Sequence, residues 1–157
     1  MEIKVAKHAG FCFGVKRAIN IAEQVASKSN DKTYVPGQIV HNERVIEDLE
    51  SKGVVFLNGL DELPENSTTV LRAHGEPIET YTKLREKRIE TSLTDATCPL
   101  VTLVHNVAKK LVVNGYEVVL FGKNDHPESI GTRSHIKGEG TFIVESPDDY
   151  LKLIDHA

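Results

Sequence analysis

Short apolar runs with a two-residue period alternate along this chain with longer stretches whose apolar positions recur every three or four residues. Ile3 and Val5, flanked by polar neighbours, predict a strand over 3–6. Val15, Ala18, Ile19, Ala22, Val25 and Ala26 fall on one face of a helix over 14–29. A short strand over 33–35 leads to Asn42, a residue suited to cap a helix running to Lys52, with Val45, Ile46 and Leu49 inward and Gly53 as its stop. Apolar strands are predicted over 54–57 and, after a turn-rich segment, over 69–72; a helix to about Lys87 and a strand over 90–94 follow. Leu100, Val104, Val107, Ala108 and Leu111 then repeat at helical spacing, which predicts an amphipathic helix with this stripe as its packing face, ending at Asn114-Gly115. Strands over 117–121 and 141–144 complete the pattern. A final helix over 148–154 is opened by Ser146-Pro147 and an acidic first turn.

Strands alternating with helices specify an α/β fold, with parallel sheets and flanking helices. A new strand–helix series begins near Asp95, so the reading divides the chain into domains at 1–95 and 96–157. The chemistry-bearing residues sit at one kind of place in this pattern. Cys98, in Asp95-Ala96-Thr97-Cys98-Pro99, lies at a strand-to-helix corner, with Pro99 suited to the first helical position. Cys12, between Gly10 and Gly14, repeats the layout. The positive end of a helix dipole favours a thiolate at such a corner. His41, His74 and His126 each follow a predicted strand as well, and open α/β sheets bind ligands beyond the carboxyl ends of their strands. His8, His105, His135 and His156 are read as solvated or hydrogen-bonded residues without a site role.

Composition narrows the classes. The chain has 157 residues and a formal net charge of −4, so it carries no basic field for nucleic acid. No apolar run reaches the ~18 residues of a membrane span, and no signal peptide is visible. Two cysteines and nothing else suggestive of secretion read as reduced thiols in a cytoplasmic protein. A zinc site is disfavoured, because zinc cysteines usually come in close pairs and these lie far apart. Imidazole N–H groups and helix N-termini are good donors to phosphate oxygens. Glu128, two residues after His126, is either a proton donor at such a pocket or a surface acid. The residues alone thus indicate a metal or thiol site facing a phosphate-type pocket.

The set Ala9-Gly10-Phe11-Cys12-Phe13-Gly14-Val15-Lys16-Arg17-Ala18, Val40-His41-Asn42, Ala73-His74-Gly75, Asp95-Ala96-Thr97-Cys98-Pro99 and His126-Pro127-Glu128 with Gly131-Thr132 resembles the 4-hydroxy-3-methylbut-2-enyl diphosphate reductases, the last enzymes of the non-mevalonate isoprenoid pathway. The resemblance implies that Cys12 and Cys98 are two of three thiolates holding a [4Fe–4S] cluster. It implies that His41, His74 and His126 bind the allylic diphosphate substrate, that Glu128 is the proton donor, and that a ferredoxin or flavodoxin supplies electrons. Glu76 and Ser129 stand where the family has apolar residues. The family has three α/β domains in a pseudo-threefold arrangement, of which this chain resembles the first and part of the second. By that resemblance it is a fragment that lacks the third cysteine, is inactive alone, and leaves an uncovered apolar surface open to self-association. The alternative class is a non-catalytic α/β module that binds anions or a partner through the same crevice.

Overall fold

The computed structural model describes residues 2–89, 92–136 and 140–155. Four short strands, β1 (Thr33–Pro36), β2 (Val54–Leu57), β3 (Thr68–Leu71) and β4 (Leu93–Asp95), form a parallel sheet in the order β2-β1-β3-β4. Tyr34 lies opposite Val55 on one side and Thr69 on the other, and Val70 lies opposite Thr94. The two-residue alternation of side chains divides the core between the sheet's faces. Val35, Val54 and Val70 meet helices α1 (Phe13–Lys28) and α2 (Glu43–Ser51), which contribute Ala18, Ala22 and Leu49. Leu71 meets Leu84 of helix α3 (Ile78–Glu86), together with Leu63 and Ile89. The small lane Gly14–Ala18–Ala22 lets α1 lie close on the sheet. Asn42 caps α2 as expected, its side chain accepting the Val45 N–H at 3.2 Å. A single 3-10 turn at Leu60–Glu62 interrupts the connection between β2 and β3.

Beyond β4 the chain forms α4 (Pro99–Val113), β5 (Val118–Phe121), α5 (Pro127–His135), β6 (Thr141–Val144) and α6 (Pro147–Asp155). Strands β5 and β6 pair in parallel, Val118 opposite Thr141, over a small core of Ala108, Val118 and Ile136. Among the described residues no helix is long and apolar enough to cross a membrane. The α/β class with parallel sheets and flanking helices is thus the observed one.

Three expectations are corrected. Residues 3–6 form no strand: Ile3 and Val5 are 76% and 80% exposed, and no described strand lies beside them. A strand exists only by pairing, and alternation alone supplies no partner. The strand expected over 90–94 is observed at Leu93–Asp95, with Glu90 and Thr91 outside the described residues. Finally, α4 is turned away from its expected orientation. Leu100, Val104, Val107 and Leu111 are exposed, while His105 and Ala108 are buried. The helix approaches Gly75 closely through His105 and Val101 and nears Gly131 through His105, which turns the stripe from Leu100 to Leu111 outward.

Candidate functional site

The strand order positions the histidines. The chain leaves β1 toward β2 and leaves β3 toward β4, in opposite directions, so the carboxyl ends of these neighbouring strands flank a topological switch point. His41 follows β1 and His74 follows β3, and their ring centroids stand 5.5 Å apart. His126 is the N-cap of α5, and its ring meets His74 edge-on at 6.5 Å. The structure therefore brings His41, His74 and His126 together.

Local hydrogen bonds set the tautomers. His126 Nδ1 accepts the Glu128 backbone N–H at 3.2 Å, which leaves Nε2–H as the ring's free donor when it is neutral. His41 Nδ1 donates to Gln38 Oε1 at 3.3 Å. His74 Nδ1 is buried without a partner. Burial is the main cause holding the His74 pKa below its ordinary value; the nearby Glu128 carboxylate pulls it back up, and Arg72, His41 and His126 push it further down. Glu128 is therefore within electrostatic reach of His74, at the amino end of α5 and exposed to solvent.

The chain on either side of His74 carries a half-buried ion pair. Arg72 Nε donates to Glu76 Oε1 at 2.6 Å, and Glu76 is buried. The guanidinium lies over Gly37, where any Cβ would stand 2.7 Å from an Arg72 terminal nitrogen. Glu76 thus occupies its unusual position with its charge matched by a residue one helical turn earlier in sequence. Ser129 lies against Gly122, whose added Cβ would meet the hydroxyl at 2.9 Å.

Both cysteines are free thiols at helix N-caps, Cys12 on α1 and Cys98 on α4, and neither uses its sulfur to cap. A methyl at Gly14 would stand 2.5 Å from the Cys98 sulfur, so Cys98 rests on the first turn of the helix that Cys12 opens. Arg17 ties the same corner down by donating to the Ala96 and Thr97 carbonyls at 3.3 and 3.1 Å. The Cys98 N–H donates to the Ala73 carbonyl at 2.9 Å, which joins this corner to the His74 loop. Among the described residues no group of three or more His, Cys, Asp or Glu side chains is arranged to hold a metal ion. The observed donor set, two free sulfurs at adjoining helix termini, fits part of a cluster site that normally takes three or four thiolates.

Of the histidines read as solvated or hydrogen-bonded, His105 is corrected, and His135 is hydrogen-bonded as expected. His105 is buried, only 6% exposed, and stacks on His135 with ring centroids 4.4 Å apart. His135 Nε2 donates to the Glu76 carbonyl at 3.0 Å, whereas His105 Nε2 is buried with no partner. Position 105 shares a helix face with Ala108, a signal that the stronger stripe of leucines and valines outweighed. His8 is exposed as expected, and His156 lies outside the described residues.

A family model described as "LytB protein" matches residues 3–156. A Psychromonas ingrahamii protein named 4-hydroxy-3-methylbut-2-enyl diphosphate reductase is 40% identical over 155 residues, which are 98% of this chain and 49% of that protein. One of the same name from Aquifex aeolicus is 40% identical over 159 residues, covering 99% and 54%. A solved structure titled as the (E)-4-hydroxy-3-methyl-but-2-enyl diphosphate reductase, terminal enzyme of the non-mevalonate pathway, matches with a TM-score of 0.83 at 40% identity, over 98% of this chain and 54% of that one. A second, the reductase from Plasmodium falciparum, matches with a TM-score of 0.84 at 34% identity, over 93% and 45%. The chain spans about half the length of the curated relatives it matches.

Proposed function

The chain belongs to the LytB protein family, and on that premise we propose that it supplies the diphosphate-binding histidines, the proton donor and two cluster thiolates of a 4-hydroxy-3-methylbut-2-enyl diphosphate reductase. The reaction is reductive dehydroxylation: an allylic C–O bond breaks, two electrons and two protons enter, and isopentenyl or dimethylallyl diphosphate leaves with water. The observation that carries the reading is the convergence of three imidazoles at a strand switch point, 5.5 and 6.5 Å between rings, with Glu128 in electrostatic reach.

His126, with Nδ1 engaged by its own helix, directs Nε2–H to a diphosphate oxygen. His41, with Nδ1 engaged by Gln38, offers Nε2, which binds an anion when protonated. His74 is largely desolvated and neutral when the pocket is empty; a diphosphate beside it favours the imidazolium, so binding takes up a proton. Glu128 delivers a proton to the departing hydroxyl from the first turn of α5, the helix that His126 caps. Cys12 and Cys98 would hold the cluster, with a third thiolate supplied by neither of this chain's two cysteines. When bound, a [4Fe–4S] cluster supplies a Lewis-acidic iron and electrons received one at a time from a ferredoxin or flavodoxin. In this reading residues 1–95 form one domain and 96–157 part of a second, and the 157-residue chain alone does not turn over. The stripe of α4 left exposed supports association of isolated copies through that face.

The test is Glu128→Gln in a reductase of full family length that carries this chain as its amino-terminal half. Substrate binding and cluster content are expected to persist while turnover falls by roughly 10²–10⁴, the usual worth of general acid catalysis. Unchanged turnover refutes the role of Glu128.

A further inference from the structure

Three elements that carry site residues meet at one ring. His105 projects from α4, the helix that Cys98 caps. Its Cε1 would stand 3.1 Å from a Cβ at Gly75, the residue after His74, and its Nε2 would stand 3.8 Å from a Cβ at Gly131, three residues after Glu128. Gly131 in turn packs on the Gly75 carbonyl. Gly75 has φ +79°, a conformation that glycine adopts freely and other residues rarely do, so the backbone approaches the imidazole with no side chain between. A face of the ring is covered by His135, itself fixed by its bond to the Glu76 carbonyl.

We propose that His105 is a positioning residue: a flat wedge that sets the distance between the His74 loop and the helix bearing His126 and Glu128. The inference rests on the reading of the three histidines as an anion site. The ring suits the place because its Cε1–Nε2 edge abuts two glycines that carry no side chain, beside their own direct contact, while its face stacks on a second ring. The titratable and charged groups around it are His135 and Glu128 on α5, and Glu76, Tyr81 and Asp95 across a small polar cavity of ≈ 160 Å³. Burial, the repulsion of His135 and the pull of Glu128 together leave His105 below its ordinary pKa, so the wedge is uncharged at neutral pH. Removing the ring lets the His74 loop relax and admits water to His74, whose depressed pKa is caused first by desolvation.

The experiment compares His105→Ala and His105→Phe in the complete 157-residue chain by two readouts. The first is the titration of the His74 imidazole by NMR; the second is binding of inorganic pyrophosphate by calorimetry. Alanine should raise the His74 pKa toward the ordinary histidine value and weaken pyrophosphate about tenfold, a fraction of the ~10²-fold that a misplacement on the order of 1 Å can cost in catalysis. Phenylalanine keeps the plane without the nitrogens and should restore both to near wild type. A loss of stability alone, with the His74 titration unmoved by alanine, overturns the proposal. So does an equal effect of alanine and phenylalanine, which assigns the role to the nitrogens. If the alanine variant fails to fold, His105→Leu fills the volume without the flat stack and should shift His74 as alanine would; no shift overturns the wedge. If wild-type chain binds no pyrophosphate, the anion-site reading fails, and the His74 titration still decides the wedge.

Discussion

Gly14→Ala is the substitution in which the sulfur geometry is most exposed to test. In a helix interior alanine is favoured over glycine by about 1 kcal/mol, and in the first turn of α1 the gain would be at most that if nothing stood in the way. The added methyl, however, would stand 2.5 Å from the Cys98 sulfur and 3.1 Å from its Cβ, both inside ordinary van der Waals contact. Neither backbone is free to withdraw. The Cys98 N–H is bonded to the Ala73 carbonyl, and Arg17 of α1 holds the carbonyls of Ala96 and Thr97. Overpacking a site of this kind costs roughly 1–3 kcal/mol. The two effects together give a net destabilisation of about 0–2 kcal/mol, with the cheapest relief a rotation of the sulfur away from α1. Urea denaturation measures the first quantity. Competitive alkylation with iodoacetamide, read by mass spectrometry, measures the second, with the exposed Cys12 as internal reference. The ratio of Cys98 to Cys12 modification should rise. A variant more stable by about 1 kcal/mol with an unchanged ratio would refute the packing of Cys98 on Gly14.

Two further outcomes follow from burial. His74 and His105 both have pKa values lowered by desolvation from the ordinary 6.5, so near and below that value the unfolded chain binds more protons than the folded one. Their contribution to stability is fully present above about pH 6.5 and declines as the pH falls below it; urea midpoints that do not fall between about pH 7.5 and about 5.5 contradict the burial of these rings. Leu100→Ala on the exposed stripe of α4 should change stability by less than about 0.5 kcal/mol, and its urea midpoint tests which face of α4 is packed; Leu49→Ala, at a fully buried position on α2, should cost about 2–5 kcal/mol and is the buried reference.

The parallel strands and their helices were legible because each element declares itself locally. Val54–Leu57 is a run of apolar residues, and Asn42 names the start of α2 by the bond its side chain makes. The meeting of His41 and His74 followed from the same logic, since both follow strands of one parallel sheet; His126 follows β5 of the second sheet, and that rule alone did not bring it there. What sequence could not supply was the identity of neighbours. Ile3 and Val5 alternate as a strand does, yet pairing requires a second strand. The stripe from Leu100 to Leu111 marks α4 as amphipathic without saying which surface it meets, and close approach to Gly75 and Gly131 selected the face of His105 instead. Helix α5 was missed although His126-Pro127-Glu128 is a helix start. Its buried residues, Gly131 and Thr132, provide no apolar period. Glu76 looked misplaced because the charge that balances it, Arg72, reaches it only through the turn after β3.

The bonds from Arg17 to the carbonyls of Ala96 and Thr97 span 79 and 80 residues of sequence. On the ribosome, the first helix is therefore made long before the turn that anchors its guanidinium. At about 5–20 residues per second this interval lasts roughly 4–16 s. Throughout it the Cys12 thiol has been synthesised but the corner that brings Cys98 beside its helix has not. In the proposed reading, a cluster held by both thiols would not be seated on the nascent chain before the second cysteine had been made. All four strands of the sheet precede Cys98 in the chain, so the sheet's whole sequence would exist before the second thiol could take part.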